Sequence, residues 1–403
     1  MADINADSGS AADIQDAVDL CGVGDRALVP AGHFDWNDEQ VVIPTGVNVI
    51  GASNAGCKGY TYSWELYTAT TILHDDVFST NPMFLLDTDA TDNRISGFQF
   101  ERKPATSGAE EGGVAIETDC AKNFRIDHCT FLNWGGQAVF ADADSGIWVT
   151  EKSYGVIDHC YVDNPYKWAS PASWTWGYGL YSRGNVAPWD FEEVWDSDVT
   201  HFAGKYNYGP VGSTIMFVED CILKYCRHAT DGINGSWNIY RYNYASHNYP
   251  PYGMLETHGT AAGGYVSARG FEAYNNTVIN GTGDLQQGGF RLRDGSCFIF
   301  DNDVTVSPQD LWSYFVTLDD SERGEDYPET YGSHMYVWDN TYTGCTFLNN
   351  PDGYIENTDY FLREPTLVLD GFTYTPYTYP HPLVGSESSS IPVLTRAYAR
   401  MRQ

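Results

Sequence analysis

The chain has 403 residues, a net charge of −32 and no apolar run long enough to span a bilayer. Because so acidic a protein is repelled by the phosphate backbone, a nucleic-acid partner is not expected, and neither is a membrane partner. A surface rich in Asp and poor in Lys predicts a halophilic source, where salt screens self-repulsion, although Asp also suits the turns of a turn-rich fold.

The first predicted element is a short amphipathic helix within SGSAADIQDAVDLCG, residues 8–22. Ser10 is a candidate N-cap, and Ile14, Val18 and Leu20 lie roughly on one side of this helix. Strand-like segments follow in RALVPAGHF and QVVIPTGVNVIGAS. The first ten residues, MADINADSGS, lack the features of a signal peptide, so an extracellular protein would have lost its leader or would leave its cell by lysis.

The middle of the chain is an internal repeat of short segments that alternate apolar and polar residues and end in Asp, Asn or Gly. IDHC occurs at residues 126–129 and again at 157–160. The aligned turns then continue as Glu219-Asp220-Cys221, Tyr274-Asn275-Asn276, Asp301-Asn302-Asp303 and Trp338-Asp339-Asn340. Inward-pointing apolar pairs precede the turns, as in Phe124 with Ile126 and Phe271 with Ala273. Each repeat is therefore predicted to be one coil of a solenoid, which buries its apolar face only by stacking on its neighbours.

This repeat, together with the earlier segments GDRALVPAGHF and VVIPTGVNVIGAS, resembles right-handed parallel β-helix proteins of the pectate-lyase-like superfamily. The resemblance covers residues 8–375 and implies an all-β, single-stranded right-handed parallel β-helix, with the N-terminal helix capping its open end. We expect this domain to span residues 1–375, followed by a C-terminal tail at 376–403. The superfamily includes lyases, glycoside hydrolases, esterases, epimerases and viral tail proteins, so the resemblance is specific for fold and not for activity.

One long insertion, residues 163–212, interrupts the spacing of the coils and is rich in Trp and Tyr. Trp174 and Trp176 within it are candidates for substrate binding, since a loop of this size on a solenoid is usually a binding feature. The alternatives are that the insertion packs its aromatic residues into a small core of its own, or that it forms a contact between subunits.

The nine cysteines include no CxxC pair, which removes the commonest zinc spacing. Most are predicted to be buried free thiols. The repeat places Cys129, Cys160 and Cys221 on successive rungs of one column that later passes to Asn276, Asp303 and Asn340. IDHC is therefore predicted to be a turn and not two reactive sites.

The densest break in the repeat lies at residues 224–294, where many basic side chains occur in an acidic chain. This density predicts a site for an anionic ligand. The candidate catalytic residues are His258, His228, Arg269, Glu256 and Arg227. The candidate substrate-binding residues are Lys224, Asp231, Glu272, Arg291 and Arg293, besides the two tryptophans. Outward side chains on adjacent coils are expected to line one groove.

An acidic polysaccharide is the ligand that fits such a groove. A lyase must neutralise the uronate carboxylate, remove the proton beside it and protonate the leaving oxygen. His258 and His228 are candidates for the base or the acid. The candidates for neutralising the carboxylate are Arg227, Arg269, Arg291 and Arg293. For each histidine, the alternative is a structural role in a turn. A hydrolase would instead use two carboxylates, here Glu256 with Glu272 or Asp231.

Two family motifs are absent. RKP at 102–104 and REP at 363–365 lack the second arginine of the pectate-lyase RxPxxR pattern, and THGT at 257–260 does not match the GHG of polygalacturonases. No residue is therefore assigned from those motifs, and calcium (Ca²⁺) is an open alternative without a ligand spacing to support it. The sequence favours an extracellular lyase acting on an acidic glycan by β-elimination, as a monomer or homotrimer. The alternatives are a glycoside hydrolase, a viral or cell-surface glycan-binding protein of tailspike type, and a purely structural solenoid.

Overall fold

A computed structural model describes most of the chain. The described residues are 1–60, 64–75, 81–102, 114–133, 137–142, 153–163, 178–183, 214–226, 228–233, 236–247, 255–257, 270–280, 289–293, 296–306, 314–318, 335–351, 353–371 and 373–385. None of the helices within them is long and apolar enough to cross a membrane.

The strands are short and follow one another along the whole described chain. The first sixteen are β1 Asp3–Asn5, β2 Arg26–Leu28, β3 Gly32–Trp36, β4 Val41–Ile43, β5 Asn48–Ile50, β6 Thr71–Asp75, β7 Phe84–Leu86, β8 Arg94–Ser96, β9 Phe98–Glu101, β10 Val114–Asp119, β11 Lys122–Asp127, β12 Thr130–Leu132, β13 Gln137–Asp142, β14 Ser153–Asp158, β15 Tyr161–Asp163 and β16 Tyr178–Arg183. The others are β17 Thr214–Glu219, β18 Ile222–Lys224, β19 His228–Ile233, β20 Trp237–Arg241, β21 Tyr244–His247, β22 Leu255–Thr257, β23 Gly270–Tyr274, β24 Thr277–Asn280, β25 Phe290–Leu292, β26 Ser296–Phe300, β27 Asp303–Val306, β28 Tyr314–Leu318, β29 Met335–Trp338, β30 Thr341–Thr343, β31 Thr346–Asn349 and β32 Tyr360–Phe361. The helices are α1 Ala11–Asp19, α2 Leu367–Asp370 and α3 Pro382–Gly385.

These strands form three long sheets in which sequential strands pass from one sheet to the next. Sheet A has the order β1-β2-β5-β8-β11-β14-β17-β20-β23-β26-β29-β32. Sheet B has the order β3-β6-β9-β12-β15-β18-β21-β24-β27-β30, and sheet C the order β4-β7-β10-β13-β16-β19-β22-β25-β28-β31. The pairings between these strands are parallel, as in β11 with β14 and β17 with β20. The inward faces enclose one apolar core that contains Phe124, Ile126, Phe271 and Ala273, as the repeat predicts.

The turn between sheets A and B explains why Asp, Asn and His recur in the repeat. One residue per coil there has a left-handed backbone, with φ between 50° and 57°: His128, His159, Asp220, Tyr242, Asn275, Asp301 and Asp339. Asn, Asp and His tolerate this conformation better than other residues with a side chain. The recurrence of Asp, Asn and His there therefore reflects a backbone preference of the coil, and Tyr242 is the exception among these turn residues.

The residue after each left-handed position forms a column inside the turn, which is buried except at the half-buried Asn340. Its members are Cys129, Cys160, Cys221, Asn243, Asn276, Asn302 and Asn340. The amide of Asn276 donates to Asn302 Oδ1 at 2.9 Å, and Asn302 donates to Asn340 Oδ1 at 2.9 Å. The cysteine rungs agree with the predicted column, but the placement of Asp303 in it was wrong. Asp303 is exposed at the start of β27, while the Asn302 amide is buried and bonded.

The N-terminal helix caps the first coils as its sequence indicates. The Ser10 hydroxyl accepts from the backbone N–H of Asp13 at 3.2 Å, and Ile14 and Val18 are fully buried. Leu20 is 73% exposed, contrary to its predicted place on the apolar side, because the helix has already ended at Asp19.

Residues 373–385, here named the C-terminal strap, cover the outer face of sheet A from β11 to β29. Tyr374 stacks on Phe298 with ring centroids 4.3 Å apart, and α3 contacts β11 and β14. The outer residues of sheet A and the strap form a second apolar cluster, separate from the core inside the coils. Of the predicted tail at 376–403, residues 386–403 lie outside the described part of the chain.

His159 gives the fold a pH dependence of known sign. Its Nδ1 lies 2.8 Å from Asp158 Oδ2. Burial alone would lower the pKa of His159, but its bond to Asp158 and the charges of Asp158, Asp220 and Asp127 raise it from 6.5 to about 9. The stabilisation is complete below pH 6.5 and is lost as the pH rises through 9.

We therefore expect the unfolding free energy of the wild type to fall between pH 6.5 and pH 9, by on the order of 2 kcal/mol more than that of His159→Gln. Denaturant unfolding of both proteins across this range measures the difference. Parallel curves for the two proteins would contradict the assignment.

Candidate functional site

Four charged or titratable side chains meet on sheet C. His228 begins β19, Glu256 lies in β22, and Arg291 lies in β25 with Arg293 just beyond it. These three strands are neighbours, and Glu256 is directly opposite Arg291 in the register. Side chains alternate along a strand, and Leu292 between the arginines faces the core. Glu256, Arg291 and Arg293 therefore project from the outer face of sheet C.

Glu256 is the centre of this group, which we name the sheet C cluster. Its Oε2 lies 3.0 Å from His228 Nδ1 and 3.8 Å from Arg291 Nη1. Its Oε1 lies 2.9 Å from Arg293 Nε. One carboxylate thus contacts an imidazole and two guanidinium groups.

The cluster is enclosed. The side chains of His228 and Glu256 are 0% exposed, and those of Arg291 and Arg293 are 7% and 5% exposed. Burying charges is costly unless they are paired, so a buried group of this kind is retained either as a structural pairing or for function. Its chemistry favours function: a carboxylate that holds one imidazole nitrogen orients the ring for proton transfer, and arginines bind carboxylates through a planar fork.

The other predicted site residues within the described chain lie elsewhere. Lys224 is in β18 of sheet B, where its Nζ lies 5.5 Å from the centroid of the Tyr161 ring. Glu272 is in β23 of sheet A, where it accepts from Trp237 Nε1 at 3.2 Å and from Tyr374 Oη at 2.5 Å. The prediction that outward side chains on adjacent coils line one groove is therefore wrong for Lys224 and Glu272, which lie on different sheets. Successive strands of a coil belong to different sheets and face different sides of the solenoid.

Several predicted residues cannot be placed. Asp231 lies in β19, and its side chain is outside the described part of the structure. The remaining candidates also fall outside the described residues: Arg227, His258, Arg269, Trp174 and Trp176.

The repeated IDHC segments have a structural role. Arg94 donates to both carboxylate oxygens of Asp127, at 2.6 and 2.7 Å, and Arg125 does the same to Asp158, at 2.9 and 3.0 Å. Burial alone would raise the pKa of Asp127, but Arg94 and the neighbouring His128 hold it far below its usual range. These aspartates are paired within the fold and do not form a reactive pair with the cysteines.

A second group of metal-ligating side chains, which the sequence analysis did not predict, lies on sheet B. His33, His74 and Glu101 come from three successive coils, and their ligand atoms all lie within 4.8 Å of one another. In the sequence, these three residues are related only by lying in strands one coil apart. The coils differ in length, so the spacing of the three residues does not repeat and does not indicate a site.

Comparison with known proteins gives structural likeness only. No protein-family model and no curated protein matches the chain. The alginate lyase of Paenibacillus sp. str. FPU-7 is similar over 86% of this chain and 97% of its own, with 12% identity and a TM-score of 0.46. The A-module of mannuronan C-5 epimerase AlgE6 from Azotobacter vinelandii is similar over 91% and 96%, with 10% identity and a TM-score of 0.42. The Family 28 exopolygalacturonase of Yersinia enterocolitica is similar over 87% and 76%, with 11% identity and a TM-score of 0.34.

The connectivity of the three sheets decides the fold: each turn of the chain adds one strand to each all-parallel sheet. This chain is a right-handed parallel β-helix. In such a β-helix the outer face of each sheet carries side chains in straight columns. The β-helix thereby brings together residues far apart in sequence, such as His228 and Arg293 of the sheet C cluster.

Proposed function

We propose that this β-helix is a carbohydrate-active enzyme that cleaves an acidic, uronate-containing polysaccharide by β-elimination at the outer face of sheet C. The observation that carries the proposal is the sheet C cluster, which joins a carboxylate-oriented histidine to two arginines. The outer face of sheet A is covered from β11 to β29 by the C-terminal strap. The solved structures share only the backbone path with this chain, so the proposal rests on these side chains.

Each member of the cluster has a role in this reaction. Arg291 and Arg293 bind the uronate carboxylate, and neutralising it acidifies the proton on the adjacent C5. His228, beside Glu256, takes that proton, which requires the side chains over its fully buried ring to move aside. The electron pair then forms the C4–C5 double bond as the bond to the O4 leaving group breaks. A proton returned to that oxygen completes the step. His258 and Arg269 remain proposed partners in proton transfer and neutralisation.

The product chemistry tests the proposal. We expect incubation with alginate, polygalacturonate or another uronate polymer to yield unsaturated ends, detected by their ultraviolet absorbance, with and without added calcium. Neutral polymers of similar length serve as the control and should yield none.

Other outcomes point to other functions. Reducing ends without that absorbance would indicate hydrolysis, for which Asp231 and Glu256 on adjacent strands of sheet C are the remaining carboxylate pair. Glu272 is excluded from such a pair, because it lies on sheet A beneath the C-terminal strap. Tight binding of a uronate polymer without turnover would identify a glycan-binding protein and overturn the enzymatic proposal.

A further inference from the structure

The second cluster, on the outer face of sheet B, is built across the first coils of the β-helix. His33 lies in β3, His74 in β6 and Glu101 in β9, which are adjacent strands. The register places His74 directly between Asp35 and Glu101. His33 precedes Asp35 by two residues and therefore projects from the same face. Three separate coils thus contribute to one group.

Two of the distances within this group match those between the ligands of a metal ion. Glu101 Oε1 lies 3.3 Å from His33 Nε2 and 3.3 Å from His74 Nδ1. Zinc binds nitrogen and carboxylate oxygen at about 2.0–2.2 Å, so two ligands at a tetrahedral angle are roughly 3.3 Å apart. Both measured spacings therefore equal an edge of a zinc tetrahedron. The two imidazole rings meet edge to face, with centroids 5.5 Å apart and an interplanar angle of 63°.

The surroundings of the group support binding of a cation. Gln99 Nε2 donates to Glu101 Oε2 at 2.7 Å, which orients the carboxylate and turns its other oxygen toward the histidines. Asp35 Oδ1, 3.9 Å from His33 Nε2, adds negative charge nearby. The side chain of His33 is 53% exposed and those of His74 and Glu101 are 23% and 21% exposed, so an ion can enter from solvent.

We propose that His33, His74 and Glu101 bind one divalent transition-metal ion of the zinc type, with water at the remaining position. Two imidazole ligands select such ions over Ca²⁺ and Mg²⁺, which take oxygen ligands. A bound ion would connect β3, β6 and β9, and would therefore stabilise the first coils of the β-helix.

The only other group of this kind in the described chain is a poorer candidate. Asp127, His128 and Asp158 also lie close together, but their carboxylates are buried and hydrogen-bonded to Arg94 and Arg125. An ion there would have to displace two guanidinium groups. This second group provides a matched control, because His128 can be changed in the same way as His74.

Titration calorimetry of the full chain with Zn²⁺ tests the proposal. We expect one ion per chain and no heat from Ca²⁺, and we expect His74→Gln and Glu101→Gln each to weaken Zn²⁺ binding by at least about 100-fold. His128→Gln should leave it unchanged. Saturating Zn²⁺ should raise the melting temperature of the wild type and of His128→Gln, but not of the other two variants.

Three results would overturn the assignment. They are an absence of Zn²⁺ binding by the wild type, equal binding by the wild type and His74→Gln, and a loss of binding in His128→Gln. Circular dichroism before titration confirms that each variant is folded. Binding by cysteine is distinguished by the same comparison, since the thiols remain in every variant and burial raises the pKa of the partly exposed Cys345 to about 11.

Discussion

Replacement of Glu256 by Gln is expected to lower kcat on an acidic polysaccharide by roughly 10²–10⁴-fold. The amide carries no charge, so the His228 ring loses the carboxylate beside its Nδ1 and the Arg293 guanidinium loses its counter-charge. Because these side chains are buried, the unfolding free energy should also fall by about 1.5–3 kcal/mol. The ultraviolet assay for unsaturated ends and denaturant unfolding measure the two effects.

Glu65→Gln is the matched control for this substitution. The Glu65 side chain is 65% exposed and pairs at the surface with Lys58, Nζ to Oε2, at 2.8 Å. We expect this variant to keep full activity and stability. If Glu256→Gln also kept full activity, the sheet C cluster would be a structural pairing and the proposed mechanism would be wrong.

His228→Gln separates chemistry from folding in the same cluster. If His228 is the base, the variant should lose the corresponding limb of the pH–kcat profile as well as turnover. A variant that lost stability but kept the wild-type pH profile would assign His228 a structural role.

The sequence predicts the fold well because the coil has strict local requirements. Alternating side chains, a left-handed turn residue and a buried residue after it leave a repeating signature, and His128 and Asn275 occupy the turn position that this signature indicates. The signature does not determine the register where neighbouring residues fit the turn position equally well. In Asp301-Asn302-Asp303 the alignment was displaced by one residue, and only the buried amide bonds of Asn302 resolve the register.

The candidate site is predicted less well, since a sequence does not show on which sheet a strand lies. Glu256 and Glu272 occupy sequential strands, yet one faces outward from sheet C and the other lies under the C-terminal strap of sheet A. Arg241, also in the basic stretch, is fully buried in contact with that strap. The high charge density of this stretch therefore has two sources. Some of its charged residues form the sheet C cluster, and others, such as Arg241, stabilise the fold.

Arg241→Met is expected to destabilise the β-helix by about 3–5 kcal/mol, the largest effect on stability among these substitutions. The Arg241 Nη2 lies 2.6 Å from Glu219 Oε2, and its guanidinium donates to Tyr377 O at 2.6 Å and Thr378 O at 2.9 Å. Its loss leaves a buried carboxylate without its cation and two strap carbonyls without their donor. Denaturant unfolding measures the energy, and hydrogen exchange should show faster exchange in residues 373–385.

Arg363→Met provides the control, because Arg363 makes a similar pair with Asp370 at 2.6 Å but is 29% exposed. Solvent reaches the guanidinium of this pair, although Asp370 is only 3% exposed, so this variant should lose less stability than Arg241→Met. Equal losses in the two variants would show that burial of Arg241 is not what makes its pair important.

The pH dependence of the Arg241→Met deficit identifies its cause. Burial raises the pKa of Glu219 to about 7 even with Arg241 beside it, and removing the arginine raises this pKa further. Glu219 is therefore protonated in the folded variant at pH 5, and the deficit should be smaller there than at pH 8. Adding Glu219→Gln to Arg241→Met should recover part of the stability that is lost at pH 8. The remaining deficit of the double variant should no longer depend on pH. A deficit that is equal at both pH values would assign the loss to the strap carbonyls instead.

Because the strap lies on sheet A, turnover at the sheet C cluster should persist in the folded Arg241→Met protein. Loss of turnover in this variant would show that the two faces are coupled.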